Sequence, residues 1–231
     1  MSDMLSMQVI ARMRSPFHSK FGIPRQSGLV ESLRSAIVFE PEFRNPDALR
    51  GLEVFSHLWV IWSFSKAVRK DWSPTVRPPR LGGNTRMGVF ATRSPFRPNA
   101  IGLSSVKIEA IEETKDLGTV IRVTGADLLD GTPILDIKPY LPYTDAHPEA
   151  SPGFTGGDRD YRLEVDFPPE LLKLVPESAR ESLIGVLAQD PRPAYQNDPD
   201  RIYGMGFGTV DVKFTVNDGV LTVIGVDSAG C

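Results

Sequence analysis

Short apolar segments, separated at close intervals by glycine, proline and asparagine, fill the first 145 residues of this chain. Segments 52–65, 101–112, 118–125 and 134–140 are rich in Val, Ile, Phe and Trp or alternate apolar with polar residues. Such alternation indicates strands, although segment 52–65 is long enough to form a helix instead. No helix-length amphipathic segment separates them, so a βαβ architecture is not expected. The spacing predicts a closed or highly curved sheet.

A change of pattern near residue 160 predicts a second, small α+β domain. Segment 147–160 is rich in proline, glycine and polar residues, as linkers are. Beyond it, residues 176–189 have helical periodicity, and two alternating segments flank Asn217-Asp218-Gly219, a strong hairpin signal. The glycine-rich run 204–208 is interpreted as a loop or bulge. The predicted domains are 5–147 and 161–231, joined by a linker at 148–160.

The composition excludes several classes of protein. The 231 residues contain one cysteine, Cys231, so neither an internal disulfide nor a cysteine-based metal site is expected. The three histidines are far apart and lack the spacing of metal ligands. No GxSxG elbow and no P-loop occurs. Neither a secretory signal nor an apolar run long enough to span a bilayer is recognised, so a cytoplasmic location is expected.

The net charge of −3 conceals a strong asymmetry. Residues 1–97 hold 15 Lys and Arg against 7 Asp and Glu, whereas residues 98–231 hold 11 against 22. The basic residues concentrate between Lys66 and Arg97, where Asp71 is the one acidic residue. Clustered positive charge attracts polyanions through counterion release, so a nucleic-acid or phosphate partner is plausible. A solvated basic loop explains an arbitrary run of this kind about equally well.

Three loop motifs carry the candidate chemistry: FGIPRQSGLV at 21–30, FATRSPFRPNAIGLSSVKI at 90–108 and DLLDGTPILDIKPYLPY at 127–143. Arginine supplies a rigid fork of donors, and glycine lets the backbone approach a ligand closely. The proline-rich segment 73–83 reads as a loop, and a loop of that length is usually functional or disordered. A structural turn explains any one of the three motifs by itself.

Taken together, these motifs resemble the TrmO family, which is also called TsaA-like. The resemblance runs in order over about residues 5–145, and LAQDPRPAY at 187–195 is similar to the family's C-terminal extension. It implies an S-adenosylmethionine-dependent methyltransferase acting on N6 of threonylcarbamoyladenosine, next to the anticodon of threonine tRNA. It also implies a single-sheeted β-barrel, a homodimer, and a cofactor bound near the dimer interface.

The resemblance implies site residues where the motifs match. The expected cofactor contacts come from all three motifs and from two neighbouring positions: Pro24, Arg25, Gln26, Ser65, Lys66, Arg93, Ser105, Leu128, Leu129, Asp130 and Gly131. A single cofactor carboxylate cannot occupy every guanidinium group in the basic region. The remaining arginines are therefore expected to bind phosphates of the anticodon arm: Arg77, Arg80, Arg86 and Arg97. No metal is expected.

Asp136, Lys138 and Tyr140 alternate along one predicted strand, so their side chains share a face. This face is expected to contact the target base, whose N6 proton must be removed as the methyl group arrives. Alternatively, Lys138 pairs with Asp136 on the barrel surface and Tyr140 packs in the core. Two other functions stay open: a non-catalytic S-adenosylmethionine- or RNA-binding module, and a methyltransferase for another substrate. The basic segment and the intact third motif favour the tRNA enzyme over the binding module.

Overall fold

The computed structural model describes residues 4–67, 71–78, 85–158, 161–193 and 198–230, and most of its regular structure is β. The strands are β1 (Ala11–Arg14), β2 (Arg34–Phe39), β3 (His57–Ser63), β4 (Thr75–Val76), β5 (Met87–Gly88), β6 (Ile101–Thr114), β7 (Gly118–Thr124), β8 (Pro133–Pro139), β9 (Glu164–Asp166), β10 (Tyr203–Phe207), β11 (Val210–Asn217) and β12 (Val220–Ser228). The α-helices are α1 (Pro142–Asp145), α2 (Pro169–Leu172) and α3 (Glu177–Ala188). Short 3-10 helices are Pro41–Phe43, Pro46–Leu49, Leu52–Val54, Val89–Ala91 and Gly153–Asp158. The predicted mainly β class is confirmed.

Six strands pair in the order β1, β2, β7, β6, β3 and β8, and β8 pairs with β1 to close the sheet into a barrel. Every neighbouring pair is antiparallel. In β3, Leu58, Val60 and Trp62 are buried while the residues between them are only half-buried. This alternation places one face of each strand in the barrel core, where Ile37 and Ile121 are fully buried.

The second domain is a four-stranded sheet in the order β10, β11, β12 and β9, with α3 packed against it. Helix α3 matches the predicted helix 176–189. The predicted hairpin is also confirmed, since β11 and β12 are joined by Asp218 and Gly219 with φ of 47° and 81°. Positive φ at both turn residues is what a type I′ hairpin requires.

Two local predictions from the sequence were wrong. The glycine-rich run 204–208 lies mostly in strand β10, in which Tyr203, Met205 and Phe207 are buried and Gly204 is exposed. Gly204 and Gly206 occupy the less buried positions of β10. The sequence therefore lacks the alternation of apolar and polar side chains that usually indicates a strand. Segment 52–65 is not one long strand, because a 3-10 turn precedes β3.

Segment 15–33, between β1 and β2, ties the barrel to the second domain. Phe17, Val30 and Leu33 lie in the hydrophobic core of the second domain. At Gly22, φ is +90° and an added Cβ would lie 2.2 Å from the sulfur of Met205, so only glycine fits. The first candidate motif is therefore held between the two cores. The domain boundaries 5–147 and 161–231, with the linker 148–160, stay a prediction.

Within the described ranges, none of the helices has the length and apolar character needed to cross a membrane.

Candidate functional site

A cleft of about 740 Å³ opens at one end of the barrel. Because all barrel pairs are antiparallel, β1, β3 and β7 run in one direction and end at the same rim. The loops that follow these strands supply most of the cleft lining, together with segment 92–97 before β6. Closure of the sheet thus brings together motifs that are about a hundred residues apart in the sequence.

The first two motifs touch each other directly across the cleft. Arg93 donates a hydrogen bond to the side-chain carbonyl of Gln26. Arg25 donates to the backbone carbonyl of Asp190 in the second domain at 3.4 Å. Lys20 donates to the carbonyl of Lys66 at 2.6 Å, which fixes the loop after β3. Side chains of the first two motifs and one backbone carbonyl of the second domain therefore stabilise the mouth of the cleft.

The cleft wall is aromatic on the barrel side. Trp62 and Phe64 pack with ring centroids 4.1 Å apart, and Trp59 completes this side of the lining. Gly102 faces Trp62, and a Cβ at this position would lie 2.3 Å from the indole ring. The wall is therefore apolar, with the Trp62 and Phe64 rings inclined by 58°, and a larger residue at position 102 would displace the indole ring.

Among the described residues that line the cleft, Asp127 is the one with a carboxyl group, and it is half-buried. The Trp62 indole N–H donates to Ser104 Oγ at 3.0 Å, and Ser104 donates to Asp127 Oδ1 at 2.6 Å. Burial raises the pKa of Asp127, although the Ser104 hydrogen bond and the nearby charge of Arg93 oppose this shift. The sequence analysis missed Asp127, even though it opens the third motif, because the Asp130-Gly131 turn was the stronger local signal.

Two models of one protein family match most of the chain. The tRNA-methyltransferase O N-terminal domain model matches residues 12–146, and the TrmO C-terminal domain model matches residues 160–229. The chain belongs to the tRNA-methyltransferase O family.

Relatives and solved structures cover nearly the whole chain. A tRNA (adenine(37)-N6)-methyltransferase from Escherichia coli K12 is 42% identical over 226 residues, covering 94% of this chain and 96% of its own. A Pseudomonas aeruginosa protein provisionally named S-adenosylmethionine-dependent methyltransferase RcsF is 41% identical, covering 90% and 91%. A crystal structure of TrmO from Pseudomonas aeruginosa superposes with a TM-score of 0.78 at 34% identity, covering 98% and 100%.

Most of the cofactor contacts that the tRNA-methyltransferase O resemblance implied line the cleft. They are Pro24, Arg25, Gln26, Ser65, Lys66, Arg93 and Leu129. In the third motif, Leu128 is buried in the barrel core. The Asp130 carboxylate accepts from the Ser15 N–H at 3.1 Å and lies 3.6 Å from Arg14, and Gly131 N–H donates to the carbonyl of Met13. These three residues are not among those lining the cleft; they form the turn that holds Leu129 in place.

Ser105 lies on the opposite face of β6 from the cleft network. Strand alternation turns the buried Ser104 towards Trp62 and Asp127, while Ser105 pairs across the sheet with Trp59. Neither serine is among the residues that line the cleft, but Ser104 is connected to it through its hydrogen bond to Asp127. The sequence analysis named Ser105, because without the register of β6 it could not show which serine faces Asp127.

Asp136, Lys138 and Tyr140 lie on the outer side of the barrel. Lys138 pairs with Asp136 at 2.9 Å, and both side chains are substantially exposed. The Tyr140 ring packs against Trp59 at 5.4 Å. The Lys138–Asp136 pair matches the structural alternative that the sequence left open, but the half-buried Tyr140 packs outside the core. A contact of this face with the target base stays a prediction.

The arginines predicted to bind RNA differ in their surroundings. Arg77 and Arg86 are exposed, and Arg80 falls outside the described residues. Arg97 lines the cleft and donates to the carbonyls of Thr92 at 2.6 Å and Val89 at 3.3 Å. These two hydrogen bonds of Arg97 therefore stabilise the loop that contains Arg93.

Proposed function

We propose that this chain is a cytoplasmic, S-adenosylmethionine-dependent methyltransferase that modifies N6 of threonylcarbamoyladenosine next to the anticodon of threonine tRNA. The observation that carries the proposal is the cleft itself, where loops with family motifs gather around the half-buried carboxyl group of Asp127. The names of the E. coli and P. aeruginosa relatives support the adenine substrate and the cofactor.

The residues of the cleft suit S-adenosylmethionine chemically. The aromatic wall beside Gly102 suits the adenine ring, and the guanidinium groups of Arg25 and Arg93 suit the cofactor carboxylate. Gln26 offers both a donor and an acceptor to the remaining polar groups. A cavity of about 740 Å³ falls within the range usual for small-molecule sites.

When bound, S-adenosylmethionine supplies a methyl group activated by a positively charged sulfur. The chain's own contribution is orientation, exclusion of water and acceptance of a proton. The cofactor, which Arg25, Gln26 and Arg93 would hold, would supply the methyl group and leave as a neutral thioether. The Asp127 carboxylate would accept the proton that N6 gives up on methylation. Its raised pKa makes Asp127 a stronger base than an exposed aspartate. Ser104 and Trp62 hold the carboxyl group in position.

Nucleoside mass spectrometry tests the proposed function. Threonine tRNA, with and without the threonylcarbamoyl group, is incubated with the protein and methyl-labelled cofactor, and the digested nucleosides are analysed. Label on N6 of threonylcarbamoyladenosine is the expected result. Label on another nucleoside would favour a different substrate. Cofactor binding with no labelled nucleoside would favour the non-catalytic binding module.

Arg25→Ala and Arg93→Ala should each weaken S-adenosylmethionine binding by about 1.5–3 kcal/mol, the usual loss for a charge-assisted hydrogen bond. Titration calorimetry measures the affinity, and a melting curve checks the fold. Arg50→Ala is a matched control, because Arg50 pairs with Asp47 on the exposed surface. Unchanged affinity in both cleft variants would remove these residues from the cofactor site.

We also propose that the chain forms a homodimer through the outer face of β3 and β6. Leu103 is 55% exposed and Ile101 is 40% exposed, and both also line the cleft next to Trp59. A partner covering this apolar face would close one side of the cofactor site. The resemblance to a dimeric family supports this arrangement.

Leu103→Glu should convert the dimer into a monomer, because a buried, unpaired carboxylate at an apolar interface is costly. Sedimentation at micromolar concentration should give about twice 25.5 kDa for the wild type and 25.5 kDa for the variant. Leu174→Glu, at a residue of the second domain that is 58% exposed, is the control. A fully active wild-type monomer would overturn the proposal.

A further inference from the structure

Two large aromatic side chains stand together on the surface near the cleft. Trp72 is 52% exposed and Phe90 is 71% exposed, and their ring centroids are 6.2 Å apart with planes inclined by 31°. Paired rings that serve only as anchors for a loop would be expected to bury most of their surface. These rings keep at least half of it available to a ligand.

The backbone beneath the pair is well anchored. Trp72 precedes β4 and Phe90 follows β5, and these two strands pair through Thr75 with Gly88 and Val76 with Met87. Val89, next to Phe90, is 1% exposed, and its N–H donates to the carbonyl of Pro74 at 2.9 Å. The rings are thus presented by a two-stranded ribbon with a buried anchor, and little ordering would be needed on binding.

The pair adjoins both the cleft and positive charge. Two residues after Phe90 the chain enters the cleft lining at Thr92 and Arg93. The guanidinium carbon of Arg97 lies 5.7 Å from the centroid of the Phe90 ring. Arg77 and Arg86 are exposed nearby in the sequence, and the structure shows no ion pair for either within its described ranges. The partner of this surface is therefore expected to be anionic as well as planar.

We propose that Trp72 and Phe90 form a stacking platform for unpaired bases of the anticodon loop, beside the base that enters the cleft. This inference rests on the proposed tRNA substrate. Sequence-independent stacking on aromatic rings is how proteins commonly hold single-stranded nucleic acid, and the flanking arginines would neutralise its phosphates. The platform would hold the loop open while its modified adenosine lies in the cleft.

The test measures binding of a 17-nucleotide anticodon stem-loop RNA and of a blunt duplex with the same stem. Phe90→Leu and Trp72→Leu keep apolar bulk but remove the ring, and each should weaken stem-loop binding by about 5- to 150-fold. The loss should be equal at every salt concentration, because a neutral ring releases no counterions. Arg77→Ala and Arg86→Ala should instead flatten the log–log salt slope by roughly 0.7–0.9 per lost contact. Tyr143→Leu, at an aromatic residue that is 87% exposed, is the matched control.

Three further measurements make the outcome decisive. Phe90→Tyr, which keeps a ring, should bind the stem-loop like the wild type, and duplex binding should be the same in every ring variant. Unchanged stem-loop affinity in both Leu variants, with the wild type binding, would overturn the platform. A Phe90→Leu variant that becomes monomeric in sedimentation would assign the rings to a second copy of the chain and also overturn it. A wild type that binds no tRNA would refute the proposed function instead.

Discussion

Replacing Asp127 by Asn should lower kcat for methyl transfer by about 10²- to 10⁴-fold, the usual contribution of a positioned base. The amide keeps the shape of the side chain and can still accept the Ser104 hydrogen bond, but it cannot take up the N6 proton. Single-turnover methylation with labelled cofactor measures the rate. Cofactor affinity, measured by calorimetry, should change much less than kcat.

The stability of this variant gives an independent check. The pKa of Asp127 is raised in the folded protein. Protonated Asp127 therefore stabilises the folded state at pH values below the pKa that it has in the unfolded chain. This stabilisation is lost as the pH rises through the pKa of the folded protein. At neutral pH the partly desolvated charge of Asp127 is a cost, so Asp127→Asn should melt no lower than the wild type. Wild-type kcat should fall as the pH drops through the raised pKa, and this acid limb should be absent in the variant.

Asp116→Asn, in the exposed turn between β6 and β7, is the control for removing a carboxylate. It should leave kcat and its pH profile unchanged. If Asp127→Asn instead weakens cofactor binding with kcat intact, Asp127 binds the cofactor and the proton acceptor lies elsewhere. If Asp136→Asn lowers kcat while Asp127→Asn is fully active, the proton acceptor lies on the outer face of β8.

Arg192→Ala should destabilise the protein by about 3 kcal/mol, since it leaves a nearly buried carboxylate unpaired. Arg192 and Asp190 form two parallel hydrogen bonds of 2.8 and 3.0 Å, and their side chains are only 10% and 12% exposed. Tyr161 also donates to Asp190 at 3.1 Å. Denaturant unfolding at pH 7 measures the loss. Cofactor affinity should fall too, because the carbonyl of Asp190 accepts from Arg25.

The pH dependence of unfolding sharpens this prediction. Burial tends to raise the pKa of Asp190, but the hydrogen bonds and charge of Arg192 outweigh it and lower the pKa. The resulting stabilisation is present above the unfolded pKa and is lost as the pH falls through the folded value. This loss of stability at acid pH should be absent in Arg192→Ala. Lys213→Ala, which breaks the exposed pair with Asp227, should leave the Tm unchanged. Equal Tm values for the two variants would contradict the argument.

Local pattern in the sequence predicted those elements whose signal is carried by neighbouring residues. Helix α3 and the β11–β12 hairpin follow from 3.6-residue periodicity and from the Asn217-Asp218-Gly219 turn, and both lie where they were predicted. The same reasoning failed at β10, where glycines on its more exposed side concealed the period of two. The matching motifs indicated the family, and most residues they implied line one cleft.

Only the tertiary structure decided which side chains of those motifs meet. Closure of the barrel sets the direction of β1, β3 and β7 and so gathers three distant loops at one rim. The register of β6 turns Ser104, rather than Ser105, towards Trp62 and Asp127. The environment of Asp127 depends on burial by residues far away in the sequence, and the pKa of a carboxyl group responds to that environment. The sequence by itself therefore determined the mainly β class, the family and the candidate loops. The fold determined the partly desolvated environment of the Asp127 carboxyl group, because desolvation and the facing of strands are properties of packed elements rather than of adjacent residues.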